Sequence, residues 1–507
     1  MINPRESKAA GLECIALSNA ALSRLAASIA RPTYDRSRIE PRLVHVGAGA
    51  FNRSHLAVYL DDLLAHEEEP RWGELAVGLL PADQQIHTGL AAQDHLYSLM
   101  LMDTGTESLR IVGSLMDHLY APADPEAVLR RMTAVECAII SLTVTEGGYF
   151  IEDASGRFLE DHADVRHDIE NPGAPRTWLG YVAEAAARRM QLGRGPFTVL
   201  SCDNLQANGA IARKALLAFA AMRSEGLQRW MEEHVAFPCS MVDRITPRTT
   251  DENRATIAEK FGVLDAVPVV CEPFRQWVLE DSFAAARPAF ERVGAQMTAD
   301  VAPYEKMKMR LLNGGHSTLG YFADLLGLEF IRDAAADPLL RRLLRAYMDE
   351  VKPTVPKLPG IDLNDYAETV VRRFANTAIR DQVARICSEG SAKIAKFLAP
   401  PLTELLREGS SPRVLPLVIA GWLHYQRGID EHGRPMTMAD GQAALLKPFV
   451  ESGCANAKLA LDVPALFGNL ATEFPAWAAT VARDLDQLRA QGVRATITNV
   501  LNEAQSG

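Results

Sequence analysis

A short stretch past the middle of the chain gathers four residue types that serve proton transfer and substrate binding. Glu305, Lys308, Asn313 and His316 lie within twelve residues. An α-helix turns by about 100° per residue, so these side chains would share one side of a helix, within roughly 140° of Lys308. A lysine can act as a general base, amides can hold a developing oxyanion, and an imidazole can bind a hydroxyl group. The alternative interpretation is a solvated face of charged residues.

Two adjacent glycines interrupt this predicted helix. Gly314 and Gly315 follow Asn313 directly. A glycine costs roughly 1 kcal/mol in a helix interior relative to alanine, so a pair of them needs a structural reason. We therefore expect another group to approach the main chain closely at Gly314 and Gly315.

The overall composition predicts a globular protein of more than one domain. A chain of 507 residues is long for a single core. Its hydrophobic fraction of 48% and charged fraction of 23% are those of an ordinary globular protein. The formal net charge of −11 argues against a nucleic-acid partner, whose binding surface would be basic.

The cysteines and the apolar segments exclude several further classes. The seven cysteines are dispersed, without a CxxC pair or the Cys/His spacing of a zinc site, so we expect reduced thiols and no metal. Residues 1–13 lack the apolar core of a signal peptide. The longest apolar run, 414–423, is far shorter than a membrane span. The sequence thus predicts a cytoplasmic protein with no membrane partner.

A glycine-rich turn follows the first predicted strand of the chain, 43–46. Gly47 and Gly49 stand in the turn, and a helix is predicted at 54–65. Strand, glycine turn and helix form the start of a dinucleotide-binding domain, because the glycines allow a tight turn and a close approach of the pyrophosphate. Asn52 replaces the third glycine of that fingerprint, and a plain strand–helix turn is the alternative.

An acidic residue follows the second predicted strand, 75–80. Asp83 stands where a carboxylate could bond the ribose hydroxyls of the adenosine. A carboxylate at that position would repel a 2′-phosphate and so favour NAD over NADP. The alternative role for Asp83 is that of a helix N-cap after Pro81.

Further predicted strands end in polar residues. A hairpin is predicted at 98–102 and 109–115, and buried strands at 135–144 and 197–200. Buried strands of this kind belong to a parallel sheet, which binds its ligands at the carboxyl edge. Asn204 follows one such strand and is a candidate site residue, with an Asx-turn or the N-cap of a helix at 209–222 as the alternative. The stretch 240–247 has a similar strand-to-loop pattern, with Asp243 at the end of the predicted strand.

The hydrophobic period turns helical after Trp277 and stays helical to the end of the chain. Helices are predicted at 303–327, 338–351, 366–375, 381–397, 402–407, 413–427, 439–450, 463–470 and 474–491. The predicted fold is therefore α/β: a Rossmann-like dinucleotide-binding domain over 1–298, with an N-terminal helix at 15–30, and a mostly α-helical substrate and catalytic domain over 299–507.

A dinucleotide fold joined to a lysine and amides, without a metal, indicates hydride transfer on a secondary alcohol. Lys308 could be the base if burial and neighbouring positive charge lowered its pKa towards neutrality. Asn204 and Asn313 could polarise the carbonyl, and His316 could bind a second hydroxyl. Tyr304 and Lys308 also match the spacing of the short-chain dehydrogenase pair, but that family is about half this length. Nothing picks out the carboxylate pair of a glycosidase.

Ordered motifs along nearly the whole chain resemble one family. They are residues 44–55, 59–64, 141–149, 201–204, 242–247 and 272–277, the Lys308, Asn313 and His316 stretch, and the Arg385 and Lys393 pair. Together they are similar to the polyol-specific long-chain dehydrogenases, the mannitol 2-dehydrogenase family. That family includes arabinitol dehydrogenases and the fructuronate and tagaturonate reductases.

The resemblance implies a role for each matching residue. Lys308 would be the general base, Asn204 and Asn313 the oxyanion hole, and Glu305 the gate for proton release. His316 would bind substrate with Asp243, Arg385 and Lys393, although Lys396 lies close enough to be confused with Lys393. NAD would contact Gly47, Gly49, Phe51, Asn52, Arg53, Asp83, Thr143 and Glu146. Asn52 stands where many members carry histidine, which leaves the detailed cofactor contacts open.

The resemblance also sets the expected reaction. We expect an NAD-dependent oxidoreductase that interconverts a polyol and a ketose, with D-mannitol and D-fructose as the leading pair. A hexuronate reductase or a D-arabinitol dehydrogenase is the alternative within the family, and a catalytically silent nucleotide-binding regulator is the alternative outside it. The sequence leaves the oligomeric state open, a monomer included.

Overall fold

The computed structural model describes residues 14–66, 72–152 and 155–506, and the chain divides into two compact units between Ala302 and Pro303. The sequence predicted a division between residues 298 and 299. The first unit is α/β and the second is helical.

A five-stranded parallel sheet forms the centre of the first unit. Its strands are β1 (Glu40–Val46), β2 (Trp72–Gly78), β3 (Leu115–Tyr120), β4 (Ile139–Leu142) and β5 (Thr198–Ser201). They are ordered β3-β2-β1-β4-β5. This is the strand order of a dinucleotide-binding fold, and it reverses between β1 and β4. The predicted Rossmann-type fold is confirmed.

Helices cover this sheet and give it two buried faces. Residues of β2, β4 and β5 are almost all fully buried, as the strands of a parallel sheet must be. The helices of the first unit are Ala50–Ser54, Leu56–His66, Asp83–Ala91, Pro125–Thr133, Ala163–Glu170, Trp178–Gln191, Asn208–Arg223, Glu225–His234 and Asp251–Phe261.

Two smaller sheets flank the central one. The predicted hairpin is present as Tyr97–Asp103 and Thr106–Val112, with Val269–Cys271 added alongside. The other sheet joins Gln296–Thr298, Gln276–Glu280 and Ser240–Asp243.

The predicted helix at 15–30 is wrong. Ile15–Ala16 is a short strand parallel to Val263–Leu264, and Asn19–Arg24 is a 3₁₀ helix. The main-chain amide of Ile15 donates to the carbonyl of Gly262 at 2.8 Å, so a partner distant in sequence overrides the helical spacing of the apolar residues. The predicted strand at 135–144 is also shorter than expected, and only Ile139–Leu142 is extended.

The second unit is built from helices, as predicted. They are Ala302–Met307, Gly314–Leu325, Ile331–Ala336, Pro338–Val351, Leu363–Phe374, Val383–Cys387, Gly390–Lys393, Ala399–Arg407, Val414–Tyr425, Lys447–Glu451, Lys458–Leu461, Pro464–Phe467, Leu470–Glu473, Pro475–Gln491 and Val493–Ser506. Two π-helical turns, Lys308–Asn313 and Ile394–Leu398, lie within this set and contact each other.

Several predicted helices are therefore interrupted. The predicted helix at 381–397 breaks at Glu389, whose φ of +54° is left-handed, and its end is π-helical. The predicted helix at 463–470 is a four-residue helix that stops at Gly468. The predicted helix at 439–450 begins only at the 3₁₀ turn Ala443–Leu446.

The described residues can also be examined for metal ligands, disulfide bonds and membrane-spanning helices. Within the described ranges, no group of three or more His, Cys, Asp or Glu side chains is arranged to hold a metal ion. All seven cysteines are free thiols, and five of them are buried. No described helix is both long enough and apolar enough to cross a membrane.

Candidate active site

The glycine turn and the loop after β4 meet where the strand order reverses. Gly47 has a φ of +96°, and a Cβ atom there would overlap the main-chain carbonyl of Thr143. The Thr143 hydroxyl donates to the carbonyl of Gly47 at 2.6 Å. Only glycine fits at Gly47, whereas Gly49 has an ordinary φ of −70° and open space around it. The two predicted cofactor residues Gly47 and Thr143 are thus brought together.

A buried histidine that the sequence analysis missed contacts the end of β4 and the loop that follows it. His45 of β1 is 0% exposed, and its Nδ1 and Nε2 lie 2.8 Å from the hydroxyls of Ser141 and Thr143. Burial lowers the pKa of His45 to about 3, so its imidazole is neutral. Its position between two valines of an apolar strand was the available signal.

The loop after β4 is held in a strained conformation by a carboxylate just past the end of β5. Thr145 has a φ of +63° and a ψ of 171°, a region that is essentially reserved for glycine. Asp203 accepts hydrogen bonds from the amides of Val144 and Thr145 at 3.1 and 2.9 Å, and from the Tyr149 hydroxyl at 2.6 Å. This clamp, which the sequence analysis also missed, fixes the segment that carries Thr143 and the exposed Glu146.

The side chains just after the glycine turn lie largely inside the protein. Phe51 is half-buried and stacks on His55, with ring centroids 5.1 Å apart. Asn52 is 1% exposed and donates to Glu74 Oε1 at 2.6 Å. The buried Arg53 guanidinium donates to the carbonyl of Val267. The cofactor contacts of these three residues remain predictions.

Asp83 lies just past the carboxyl end of β2. It is half-buried and is the first residue of helix Asp83–Ala91. Its carboxylate accepts a hydrogen bond from the amide of Leu80 at 2.8 Å, while Ala82 occupies the N-cap position. The N-cap alternative is therefore wrong, and the predicted ribose contact remains a prediction.

Asn204 and Asp243 stand at two other strand ends of the first unit. Asn204 is exposed and follows β5, and the next helix begins at Asn208 with Ala207 at its cap, so Asn204 is not an N-cap. Asp243 is 5% exposed and ends the strand Ser240–Asp243. The predicted roles of Asn204 in the oxyanion hole and of Asp243 in substrate binding remain predictions.

The lysine stretch is not a uniform α-helix. An α-helix, Ala302–Met307, passes into the π turn Lys308–Asn313 and then into the α-helix Gly314–Leu325. The amide of Gly314 bonds the carbonyl of Met309, five residues back. A π turn closes over one more residue than an α turn.

This widening changes the predicted spacing around the helix. One extra residue absorbs about 100° of rotation, so His316 comes from about 80° to within about 20° of Lys308. Asn313 is likewise brought closer to Lys308. The predicted side chains therefore span a smaller angle around the helix axis than they would in a uniform α-helix. Lys308 and Glu305 are buried, at 7% and 5% exposed, so the interpretation as a solvated face is wrong.

Residues of a neighbouring helix, Pro338–Val351, pack closely against the two glycines. A Cβ atom on Gly314 would overlap the hydroxyl of Tyr347, which donates to the carbonyl of Arg310 at 2.8 Å. A Cβ atom on Gly315 would lie 3.1 Å from a methyl group of Leu344. The predicted close approach to the main chain is confirmed.

An ion pair holds the same turn from its other side. The buried guanidinium of Arg310 donates to the carbonyl of Thr354 and, at 2.6 Å, to Glu404 Oε1. Lys306 pairs with the same carboxylate at 3.2 Å. Glu404 belongs to helix Ala399–Arg407, which continues directly from the second π turn. The ion pair therefore joins the first π turn to the helix that follows the second.

His316 is held by an aromatic ring. Its half-buried imidazole lies parallel to the ring of Phe374, with centroids 3.9 Å apart and an interplanar angle of 15°. Stacking of this kind fixes the plane of the imidazole. No pattern in the sequence indicated that Phe374 would stack on His316.

The two predicted substrate-binding cations, Arg385 and Lys393, each bond a group of the protein itself. Arg385 makes a two-point ion pair with Asp381 at 2.8 and 2.7 Å, and its side chain is 64% exposed. The Lys393 ammonium donates to the carbonyl of Ile386 at 2.8 Å, and burial, reinforced by Arg385, lowers the pKa of Lys393. Lys396 is exposed within the second π turn.

Comparison with known proteins places both units. The Rossmann domain of mannitol dehydrogenase matches residues 41–292, and the mannitol dehydrogenase C-terminal domain matches residues 300–489. Mannitol 2-dehydrogenase of Aspergillus fumigatus is 38% identical over 497 residues, which cover 96% of this chain and 99% of that protein. Mannitol dehydrogenase DSF1 of Saccharomyces cerevisiae is 40% identical over 475 residues, covering 93% and 95%.

Solved structures agree with these relatives. The ternary complex of Pseudomonas fluorescens mannitol 2-dehydrogenase with NAD and D-mannitol has a TM-score of 0.84 at 40% identity, covering 96% of this chain and all of that one. A D-sorbitol dehydrogenase in substrate-free form has a TM-score of 0.89 at 37% identity, covering 95% of this chain and all of that one.

A Rossmann-type unit followed by a helical unit that carries a buried lysine defines a two-domain dehydrogenase. The chain belongs to the mannitol dehydrogenase family. The predicted family is thus confirmed, and with it the predicted enzyme class, a polyol dehydrogenase.

Proposed function

We propose that this protein is an NAD-dependent polyol dehydrogenase that interconverts D-mannitol and D-fructose, with Lys308 as its general base. The observation that carries the proposal is the burial of the Lys308 amine at the start of a π turn that also holds Asn313. NAD and D-mannitol are the ligands of the Pseudomonas enzyme, which is 40% identical. That likeness supports the same cofactor and the same leading substrate here.

The first unit has a surface that fits a dinucleotide. The positive φ of Gly47 forms a tight turn, and the absence of side chains at Gly47 and Gly49 would let a pyrophosphate approach the main chain closely. Thr143 contacts the same turn, Glu146 lies three residues further along the loop after β4, and Asp83 stands beyond β2 for the ribose. NAD, when bound, accepts a hydride from the carbinol carbon of the polyol.

Lys308 takes the proton in this proposal. In its neutral form the amine of the buried Lys308 can accept the hydroxyl proton of the alcohol. The O–H bond breaks towards Lys308 Nζ as the carbinol carbon loses its hydride and the C=O bond forms. The buried Glu305, three residues earlier, would pass the proton on from Lys308.

The amides stabilise the oxygen as its charge changes. Asn313 and Asn204 would donate to the developing oxyanion, a contribution of about 10²–10³ in rate for one such donor. His316, fixed by Phe374, would bind a neighbouring hydroxyl. Asp243, Arg385 and Lys393 would bind the hydroxyls further along the chain of the polyol.

A hexuronate reductase is the second candidate within the family. The observation that favours it is Arg385, whose largely exposed guanidinium could turn from Asp381 to a substrate carboxylate. A D-arabinitol dehydrogenase would use the same residues on a shorter polyol. A silent regulator would bind NADH without turnover.

A substrate panel tests these proposals. NADH formation is measured with hexitols and pentitols, and NADH consumption with fructose, fructuronate and tagaturonate. We expect the highest kcat/KM with D-mannitol and D-fructose. Preference for the uronates would replace the proposal with the hexuronate reductase, and no turnover on any of them would reject a polyol dehydrogenase.

The role of Lys308 is tested with a neighbour as control. Lys308→Ala should lower kcat by about 10²–10⁴, the usual contribution of a positioned general base. Lys306→Ala removes a half-exposed ammonium paired with Glu404 and should keep most of the activity. Equal activity of Lys308→Ala and the wild type would exclude Lys308 as the base.

A further inference from the structure

Asn52 and Glu74 form a buried polar pair beneath the glycine turn. Asn52 is 1% exposed and Glu74 is 0% exposed. The Asn52 amide donates to Glu74 Oε1 at 2.6 Å. The other oxygen of each side chain, Asn52 Oδ1 and Glu74 Oε2, is buried without a hydrogen-bond partner. Two buried acceptors left over in one pair indicate a missing proton between them.

The charged groups around Glu74 do not supply a bonded counter-ion. The Arg53 guanidinium donates to Val267 and lies 5.5 Å from the centre of the Tyr97 ring. The Tyr97 hydroxyl donates to the carbonyl of Arg53 at 2.6 Å, and the Cys202 thiol is buried, with its pKa raised by that burial. An ionised Glu74 would therefore lack a hydrogen-bonded counter-ion, and Arg53 acts on it only through its charge.

Burial acts on Glu74 more strongly than its neighbours do. Loss of solvation raises the pKa of Glu74 to about 7, against the opposing effects of the Asn52 hydrogen bond and the Arg53 charge. A carboxylic acid carries one O–H donor, and that donor is what the two remaining oxygens lack.

We propose that Glu74 is a protonated positioning residue whose Oε2–H donates to Asn52 Oδ1, so that a two-bond acid–amide pair fixes the helix after the glycine turn onto β2. Asn52 belongs to helix Ala50–Ser54, which follows Gly49 directly, and Glu74 belongs to β2. The pair thereby ties the cofactor turn to the central sheet. Its effect on cofactor binding rests on the proposed function, but the protonation of Glu74 does not.

The pH dependence follows from the sign of the shift. The pKa of Glu74 is higher in the folded protein than in the unfolded chain, so the folded state binds more protons between about pH 4.5 and pH 7. Stability from this group is fully present below the unfolded value and is lost as the pH rises through about 7. The Asn52 pair loses one of its two bonds as the folded-state Glu74 ionises around pH 7.

Glu74→Gln tests the protonation directly, because glutamine has the shape and the donor of a protonated glutamate. The variant should be at least as stable as the wild type above about pH 7, and its stability should lack the pH-dependent decrease that the wild type shows. Infrared difference spectra should show a protonated carboxyl band in the wild type below pH 7 that is absent from Glu74→Gln. Identical pH profiles of the two proteins would overturn the proposal.

Two further variants separate this outcome from a general tolerance of substitution. Glu350 is a matched control, since its carboxylate accepts hydrogen bonds from the amides of Arg413, Val414 and Leu415. Glu350→Gln places a donor against those donors and should be destabilised. Asn52→Asp should be destabilised most at high pH, where two carboxylates would face each other. Destabilisation of Glu74→Gln to the extent of Glu350→Gln would show that Glu74 is ionised.

NADH binding tests the positioning role. Wild-type affinity should weaken on the order of tenfold from about pH 6 to about pH 8, the effect of about one hydrogen bond, whereas Glu74→Gln should keep its affinity. An affinity in the wild type that does not change with pH would overturn the positioning role. Absence of NADH binding at every pH would instead reject the proposed function, and the unfolding and infrared measurements would still decide whether Glu74 is protonated.

Discussion

The hydroxyl of Tyr347 donates to the main-chain carbonyl of Arg310 at 2.8 Å, inside the π turn that begins at Lys308. In an α-helix that carbonyl would accept from the amide of Gly314, but here that amide bonds Met309 instead. A side chain from another helix thus satisfies a carbonyl that the widened turn displaces. Such an external partner is what allows a π turn to persist within an α-helix.

Tyr347→Phe should therefore act on both stability and catalysis. The substitution leaves the carbonyl of Arg310 buried without the hydroxyl, at a cost of about 1–3 kcal/mol in the free energy of unfolding. It should also lower kcat, because the turn carries Lys308 and Asn313. Denaturant unfolding and steady-state kinetics measure the two effects. Tyr425→Phe is the control, since its hydroxyl bonds the carbonyl of Thr437 at 3.1 Å outside the turn, and only its stability should fall.

Gly314→Ala should be more damaging than Gly315→Ala. At Gly314 the new Cβ would overlap the Tyr347 hydroxyl, whereas at Gly315 it would meet a flexible leucine methyl at 3.1 Å. Overpacking of this kind costs about 1–3 kcal/mol. The double variant Gly314→Ala with Tyr347→Phe should recover part of that stability, and a double-mutant cycle on the free energy of unfolding measures the coupling. Strict additivity would contradict the contact.

Asp203→Asn should loosen the loop after β4. An asparagine has one acceptor oxygen where the carboxylate accepts from the amides of Val144 and Thr145 and from Tyr149. We expect a loss of about 1–3 kcal/mol in the free energy of unfolding and weaker NADH binding. Thermal unfolding and NADH fluorescence titration measure these effects. Unchanged NADH affinity in a destabilised variant would limit Asp203 to a structural role.

Asp83→Ala tests the choice of cofactor. If the carboxylate reads the ribose, its removal should raise the KM for NAD far more than the KM for NADP. The hydrogen bond to the amide of Leu80 will be lost in either case, so Asp83→Asn, which keeps an acceptor but no charge, is the control. Equal changes in both KM values would show that Asp83 only stabilises the turn after β2 and does not bind the ribose.

The parts of the fold predicted from sequence are those with local signals. Strand β1, the glycine turn and the helices after Pro303 carry their own spacing and turn residues. They are present, although the predicted helices at 303–327, 381–397, 439–450 and 463–470 are interrupted or shortened. The predicted helix at 15–30 failed because its first residues pair with Val263–Leu264, far along the chain. No local pattern reports such a partner.

The site shows the same division. Lys308, Asn313 and His316 were selected as candidates by type and spacing, and their roles stay predictions. The glycine pair correctly indicated a close contact. The widened turn was not predicted, because it depends on Tyr347 and on Glu404, which reach it from other helices. His45 and Asp203 were missed for a similar reason, since their partners lie on neighbouring strands and the loops after them.

The π turn at Lys308–Asn313 also decides how this helix responds to a change in chain length. The helix that follows, Gly314–Leu325, is buried on nearly every side, so its orientation is fixed by its neighbours. Closing the π turn into an α turn without removing a residue would rotate that buried helix by about 100° against them. Removal of one residue within the turn, by contrast, would leave the packing in register and restore a regular helix. We therefore expect deletion of one residue within the turn to be compatible with folding.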